Sequence, residues 1–405
     1  MNHYPSNVKE KLNSIILSMA EHHWLFSKNP GHDFTRQHLG KLSFYDTMRL
    51  IISMGKGSTN DEIMDYFDLD PDLIPSQSAF CQRRRQISLS AFEYLFSEFS
   101  SSFPSTTDKF KDHCILACDG CHVVYATNSD IIEDYNKPRL IDYKGYNHMH
   151  LNGFVDVISK AFLDVVIQPG QQPDEREALH SMLDHFTPDD SQKYIITADR
   201  GYESYDLLFH CELKNLGYVF RVKSPSSPKS ILSYYASELP DDLEEFDVTI
   251  KRFFTDKATN IMKNHQMFTA TSIPVKISLI FMSFSGKNTV IFIFCSFALL
   301  RSKPPEFLKQ EIYSRLILYN FGIFIANEAA EENRKKKRDG SNKYLYELDF
   351  SSTLKTARKF FMRRDSGRHI DIIRLMMKYV HAVKDRFRQF QRPLRGISAI
   401  HFRYR

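Results

Sequence analysis

One stretch of this 405-residue chain contains no acidic side chain. Residues 257–305 include neither aspartate nor glutamate, although a chain with 49 acids would place about six in those 49 positions at its average frequency. A carboxylate that binds a metal ion or transfers a proton therefore cannot come from this stretch.

Cysteine is also sparse, with six residues in the chain. Cys114, Cys118 and Cys121 lie close together, but no second pair follows them at the spacing of a zinc finger. Residues 113–125 are predicted to form a β-strand, on which Cys114 and Cys118 face one side and Cys121 the other. The spacing therefore disfavours a zinc site.

Targeting and membrane-spanning segments are not evident either. Met1–Glu21 lacks the basic-then-apolar order of a secretory signal, so a cytoplasmic protein with reduced cysteines is expected. The apolar run Ile277–Leu300 is split by Gly286, Lys287 and Asn288 into pieces too short to span a bilayer. We expect two strands joined by a turn there, and no membrane partner.

The charge is unevenly distributed, although the net value is only +5. Residues 354–405 carry fifteen Lys or Arg against Asp365, Asp371 and Asp385, a local net charge of +12, so the rest of the chain sums to −7. Such a segment suits a polyanionic partner, because each neutralised phosphate releases a counterion. A solvated helical surface would show the same charge, so the charge alone does not identify a binding partner.

The first hundred residues are predicted to be helical. Serines precede apolar residues at helical spacing over 43–54, 58–67 and 76–87. The third of these helices carries Arg83, Arg84 and Arg85, and two short helices followed by a basic one are typical of a helix-turn-helix DNA reader. A plain helical bundle is the alternative.

From residue 113 onward strands and helices alternate, which indicates a mixed α/β fold. Strands are predicted at 114–125, 148–156, 161–168, 193–198 and 218–223, with helices at 173–186, 204–216 and 304–332. A charged linker that includes Lys335, Lys336 and Lys337 leads to two basic helices at 351–363 and 369–390. We therefore divide the chain into a helical region (1–110), an α/β core (111–333) and a basic C-terminal region (334–405).

Two aspartates stand out within the predicted core. Asp119 lies in an otherwise apolar strand, and Asp199 ends another, followed by Gly201, which permits a tight turn. A buried carboxylate is costly unless it is paired or bound to a cation, and oxygen ligands suit Mg²⁺ or Mn²⁺. Either aspartate taken alone could instead cap a turn.

The sequence motifs around these aspartates resemble those of a known protein family. ADRGYES at 198–204, DGCHV at 119–123, HMHLNGFVDV at 148–157, FLDVVIQPG at 162–170 and the terminal HFRYR are similar to segments of DDE transposases from bacterial insertion sequences. The resemblance covers nearly the whole chain, and ADRGYES is its most specific part.

The resemblance implies an RNase H-like mixed sheet flanked by helices, with Asp119 and Asp199 as the first two catalytic acids of a two-metal site. It places Arg200 and Tyr202 beside the scissile phosphate. The implied partners are the terminal repeats of the element, target DNA and a second copy of the chain, in the bacterial cytoplasm near the nucleoid. Further phosphate contacts are expected from the arginines at 83–85 and the lysines at 335–337.

The third acid is where the chain departs from that family. Members carry it in a Tyr-x2-Arg-x3-Glu-x6-Lys pattern upstream of a landmark that is present here as SKPPE at 302–306. The core is disrupted around 257–303, where no such pattern exists, and Glu311, Glu328, Glu331 and Glu332 are weak substitutes. Two hypotheses follow: a transposase that cuts and joins DNA, or a degenerate one that binds DNA without cutting and acts as a remnant or inhibitor.

Overall fold

The structure is a computed structural model. It describes residues 3–35, 42–103, 109–138, 145–224, 226–233, 245–253, 274–282, 304–336, 345–363 and 370–383.

The described residues of the N-terminal region include five α-helices. Three of them begin directly after a serine whose hydroxyl accepts a backbone N–H of the first turn: Ser43, Ser58 and Ser76. The three helices predicted from those serines are confirmed. The five are α1 (Tyr4–Glu21), α2 (Phe44–Ser53), α3 (Thr59–Tyr66), α4 (Gln77–Gln86) and α5 (Leu89–Ser101).

A six-stranded sheet follows. Its strands are β1 (His113–Tyr125), β2 (Tyr135–Asn136), β3 (Tyr146–Asp156), β4 (Phe162–Pro169), β5 (Lys193–Ala198) and β6 (Gly217–Phe220). β1 pairs antiparallel with β3 and parallel with β5, β5 pairs parallel with β6, and β2 and β4 both pair antiparallel with β3. The expected mixed sheet is confirmed.

Helices cover both faces of the sheet because the strands carry apolar side chains on both faces. On one face, Leu116 and Ile196 pack with residues of α6 (Glu175–His185) and α7 (Tyr205–Leu213). On the other face, Val123 and Leu151 join a larger cluster that includes α8 (Pro305–Lys336). The long helix predicted at 304–332 is thereby confirmed.

The N-terminal and C-terminal helices share one core with α8. Phe99 of α5 and Phe324 of α8 lie with ring centroids 5.6 Å apart. The guanidinium of Arg49 in α2 donates a 2.7 Å hydrogen bond to the carbonyl of Phe361 in α9 (Phe350–Met362). The segments separated at 110 and 333 in the sequence are therefore joined by packing in the fold.

The last predicted helix differs from the observed structure. Instead of a helix over 369–390, α10 spans Ile372–Met376 and the chain then forms β10 (Val380–Val383), which pairs with β9 (Leu345–Leu348). Pairing of β-branched valines with a neighbouring strand outweighs the helical periodicity here. Residues 384–405, with the last seven residues of the predicted basic helix, lie outside the described residues.

The apolar run at 277–300 is described in part. β8 (Pro274–Met282) confirms the first predicted strand, but its partner is the upstream β7 (Glu245–Phe253). The second predicted strand lies outside the described residues. Among the helices that the structure describes, none is long and apolar enough to cross a membrane.

Candidate active site

The strand register brings the two predicted aspartates together. The last register pair between β1 and β5 joins Cys118 to Ala198, and Asp119 and Asp199 are the next residue of each chain segment. Because adjacent strands of a sheet lie about 4.8 Å apart, the two aspartates lie next to each other at the point where the pairing of β1 with β5 ends.

Each aspartate is held by a neighbouring backbone N–H. Gly120 donates to Asp119 Oδ1 over 2.9 Å, and Gly201 donates to Asp199 Oδ1 over 2.7 Å. The N–H of Tyr202 also donates to the carbonyl of Asp199 over 3.2 Å, which closes the turn after β5. One oxygen of each carboxylate is thus oriented by the backbone.

The environment of Asp119 is unfavourable for an isolated negative charge. The pKa of Asp119 is raised to about 6, chiefly by burial and also by the charges of Asp199 and Glu175. The N–H of Gly120 and the ring of His150 act in the opposite direction. In the part of the chain that the structure describes, no Lys or Arg forms an ion pair with either aspartate, so a cation would relieve the repulsion.

Glu175 is a third acid beside the pair, and sequence reasoning missed it. It is the first residue of α6, where an acid is ordinarily explained by the helix dipole. A Cβ atom added at Gly201 would overlap Glu175 Oε2 and lie 3.0 Å from Asp199 Oδ1, and one added at Gly120 would lie 2.9 Å from Glu175 Oε1. No spacing signal in the sequence links residue 175 to residues 119 and 199.

A polar network borders Glu175 on β3. The ring of His150 is buried, and its Nε2 lies 3.3 Å from Glu175 Oε1. Asn152 accepts a 3.1 Å hydrogen bond from the Tyr202 hydroxyl and donates a 3.2 Å one to Gln168. This network fixes the loop after β5 to the neighbouring strands.

Arg200 and Tyr202 lie on either side of Gly201 but differ in exposure. Tyr202 is completely buried, and burial raises the pKa of its hydroxyl far above the ordinary value, so it stays a neutral donor to Asn152. Arg200 is exposed. Of the two, Arg200 is the residue whose side chain faces solvent beside the aspartates.

The three arginines of α4 have different surroundings. Arg84 donates to the carbonyl of Phe307 over 2.7 Å and to Gln310 over 3.1 Å, both on α8, so its guanidinium is engaged within the protein. Arg83 donates to Gln86 over 3.1 Å, and Arg85 is exposed. Lys335 and Lys336 lie in the last turn of α8, and Lys337 lies outside the described residues.

The carboxylates here supply the oxygen ligands that a divalent cation prefers, but their side chains are not gathered around one point. Within the described ranges, no three His, Cys, Asp or Glu side chains are gathered so that they could hold a metal ion. The space left by the missing Cβ atoms of Gly120 and Gly201 is bordered by carboxylate oxygens of Glu175 and Asp199. The glutamates of α8 that were possible substitutes for the third acid have other partners. Glu311 pairs with Arg315 over 2.7 Å, and Glu331 pairs with Arg334 over 3.5 Å.

Comparison with known proteins identifies the part of the chain that contains this site. Residues 110–290 match a family model described as "Transposase DDE domain". A solved cryo-EM structure of a piggyBac transposase synaptic complex with hairpin DNA is similar, with a TM-score of 0.41 and 10% identity, over 93% of this chain and 84% of that one. No curated protein matches the chain in sequence.

Proposed function

We propose, from the premise that residues 110–290 of this chain belong to the transposase DDE domain family, that the protein is an insertion-sequence transposase. It binds the terminal repeats of its element, cleaves a phosphodiester in a metal-dependent step and transfers the freed strand end to target DNA. Two copies of the chain would hold the two ends together.

The observation that supports this proposal is the position of Asp119 and Asp199. They follow the last register pair of two parallel strands, and neither is ion-paired with a Lys or Arg in the described residues. Asp119 and Asp199 would hold Mg²⁺ or Mn²⁺. When bound, two such ions activate the attacking oxygen and stabilise the leaving one.

The other residues have supporting roles. The Gly201 N–H fixes one oxygen of Asp199, and Tyr202 positions the loop through its hydrogen bond to Asn152. The exposed guanidinium of Arg200 is available for a phosphate beside the aspartates. Arg85 and the lysines at the end of α8 would contact phosphates farther away, which positions DNA without reading its sequence.

The test uses the full chain and a supercoiled plasmid that carries the DNA flanking the coding sequence. Wild type, Asp119→Asn, Asp199→Asn and the exposed control Asp130→Asn are incubated with Mn²⁺, and nicked circles with 3′-hydroxyl ends are quantified. We expect nicking by the wild type and Asp130→Asn, and a loss of at least about a hundredfold in the other two variants.

A second candidate function has its own support. The acid-free stretch 257–305 lacks the glutamate that the family carries upstream of SKPPE, which favours a protein that binds element ends without cutting them. Retarded plasmid fragments in a gel-shift assay, together with no metal-dependent nicking by the wild type, would establish this non-catalytic function and reject the first.

A further inference from the structure

The peptide group between Arg200 and Gly201 is held on both sides. Its N–H donates to Asp199 Oδ1 over 2.7 Å. Its carbonyl, which belongs to Arg200, accepts a 3.0 Å hydrogen bond from Nζ of Lys223. The C=O and N–H of a trans peptide group lie in one plane and point in opposite directions. A contact that fixes this carbonyl therefore also fixes the direction in which the N–H points at the Asp199 carboxylate.

A buried glutamate holds the ammonium group that makes this contact. Glu203 is only 3% exposed. Its Oε1 accepts from Lys223 Nζ over 2.6 Å, and its Oε2 accepts the backbone N–H of Lys223 over 2.7 Å. Both oxygens of one carboxylate thus bind one residue, at its backbone and at the tip of its side chain. The position of the ammonium relative to the loop after β5 is thereby fixed.

The backbone of Lys223 is also anchored to the strand that presents Asp199. Beyond the end of β6, the N–H of Arg221 donates to the carbonyl of Ala198, the last residue of β5, over 3.1 Å. The hydroxyl of the buried Ser230 donates to the carbonyl of Lys223 over 3.0 Å. The lysine is therefore held on a backbone that is joined to β5 one residue before Asp199.

A purely structural tether explains only part of this arrangement. The bond from the Lys223 N–H to Glu203 would join the two segments without any ammonium group. The ammonium adds a charged donor to the peptide group that orients Asp199. Hydrogen bonds to charged groups are stronger than neutral ones, and hydrogen bonds in a chain polarise one another. The charge of Lys223 therefore strengthens the Gly201 N–H as a donor.

We propose that Lys223, held by Glu203, is a positioning residue for Asp199, a role that rests on the proposed function. The contacts run from the Glu203 carboxylate through the Lys223 ammonium and the peptide group of residues 200 and 201 to Asp199 Oδ1. Among the described residues, the ion-pair partner of Lys223 is Glu203 and not Asp199. Lys223 therefore orients the Asp199 carboxylate through the backbone and leaves its charge unpaired.

The first test compares the nicking kinetics of the full chain under the Mn²⁺ conditions described above. Lys223→Met removes the ammonium and keeps an unbranched side chain. We expect kcat to fall at least about tenfold, because a displacement of about 1 Å at a reacting group can cost about a hundredfold. KM for the plasmid should stay within about twofold of the wild type, since no DNA contact is removed. Lys223→Arg should recover part of kcat, because a guanidinium can donate to both partners.

Lys214 provides the matched control. It is also a half-buried lysine whose ammonium donates to backbone carbonyls, those of Asp184 and Phe186, over 3.3 and 3.1 Å. It lies at the opposite end of α7 from the loop that contains Asp199. We expect unchanged kcat and KM in Lys214→Met. A fall in kcat of the same size as in Lys223→Met would show that loss of any lysine–carbonyl contact lowers activity, and would overturn the specific role of Lys223.

A second variant keeps the test valid if Lys223→Met does not fold. Lys223→Met leaves the Glu203 carboxylate buried and unpaired, which is strongly destabilising. Glu203→Gln/Lys223→Met removes both charges and keeps a side-chain oxygen that can accept the backbone N–H of residue 223. Thermal melting shows which variants are folded, and we expect the double variant to show the same loss of kcat.

Hydrogen exchange of the Gly201 N–H supplies a readout that does not require nicking. Overlapping peptic fragments that end on either side of Gly201 isolate its exchange rate by mass spectrometry. We expect exchange at least about tenfold faster in Lys223→Met and in the double variant, because the local opening of the loop becomes easier. Lys223→Arg should be intermediate, and Lys214→Met should match the wild type.

The outcomes separate the two proposals. Wild-type kcat or wild-type Gly201 exchange in the folded variants that lack Lys223 would overturn the positioning role and leave the proposed function standing. A wild type that does not nick would overturn the proposed cleavage, and the role of Lys223 in that reaction with it.

Discussion

The imidazole rings of His180 in α6 and His210 in α7 stack with their Nδ1 atoms 2.9 Å apart. Both residues are buried, and each is flanked by a carboxylate, Asp206 beside His180 and Asp184 beside His210. A hydrogen bond between the two Nδ1 atoms requires one of them to be unprotonated. The pair therefore links the two helices that cover one face of the sheet.

This pair predicts a loss of stability in mild acid. The pKa of His210 is lowered to about 4, chiefly by burial and also by the neighbouring His180 and Lys214. The carboxylates of Asp184 and Asp206 act in the opposite direction. The unfolded histidine titrates near pH 6.5, so the unfolded state binds more protons between these values. The contribution to stability is complete above about pH 6.5 and is lost as the pH falls toward about 4.

Urea unfolding at several pH values checks this expectation. The free energy of unfolding of the wild type should fall from pH 7 to pH 5, and the fall should be smaller in His210→Gln. His32→Gln alters an exposed histidine and should keep the wild-type slope. Equal slopes in wild type and His210→Gln would contradict the prediction.

A buried ion pair should hold α9 against the N-terminal helices. Arg358 of α9 pairs with Glu62 of α3 and donates to the carbonyl of Ser53 over 2.5 Å, and Glu62 is only 4% exposed. Arg358→Met should cost about 2–4 kcal/mol, because it leaves a buried carboxylate unpaired. Chemical unfolding gives the value, and Glu62→Gln/Arg358→Met should lose less than the sum of the single variants.

An exposed pair provides the control for that measurement. Arg334 and Glu331 lie at the end of α8 with 56% and 39% exposed side chains, so Arg334→Met should cost less than about 1 kcal/mol. Similar losses in Arg334→Met and Arg358→Met would mean that burial of Glu62 does not decide the effect.

Asp119→Asn should stabilise the metal-free protein. The pKa of Asp119 is raised to about 6, chiefly by burial and also by Asp199 and Glu175, so ionisation is less favourable in the folded than in the unfolded state. Asparagine keeps the oxygen that accepts the Gly120 N–H and removes the charge. We expect a gain of roughly 1–2 kcal/mol, reduced for partial exposure, in urea unfolding with EDTA. Asp130→Asn should show no gain, and a destabilised Asp119→Asn would refute the expectation.

Substitution of Arg84 should affect stability, whereas substitution of Arg85 should affect DNA binding. Arg84→Ala removes the hydrogen bonds to Phe307 and Gln310 and should cost about 1–3 kcal/mol of stability. Arg85→Ala should leave stability unchanged, weaken binding to the flanking DNA and lower the salt slope by about one. Melting curves and fluorescence anisotropy at two salt concentrations measure both effects. An unchanged salt slope in Arg85→Ala would remove that residue from the DNA contacts.

Local chemistry made part of this molecule predictable from its sequence. Ser43, Ser58 and Ser76 mark helix starts because their hydroxyls satisfy a backbone N–H within the same turn. The apolar strands that lead to Asp119 and Asp199 were predictable for a similar reason, since alternation and turn residues act over a few positions. The C-terminal region was less predictable from the sequence. The helix predicted to extend to residue 390 is replaced from Val380 onward by a strand, which pairs with a strand more than thirty residues earlier in the chain.

From the sequence alone, Asp119 is marked by the apolar strand that contains it, and Asp199 by the apolar strand that it ends and by the turn that follows. The fold was needed to show that Glu175 lies beside them, that Tyr202 is buried and that Arg84 is engaged with α8. An acid in the first turn of a helix has an ordinary local explanation. Its nearness to residues 119 and 199 depends on how α6 packs on β3 and β4, and on two glycines whose missing side chains make that approach possible.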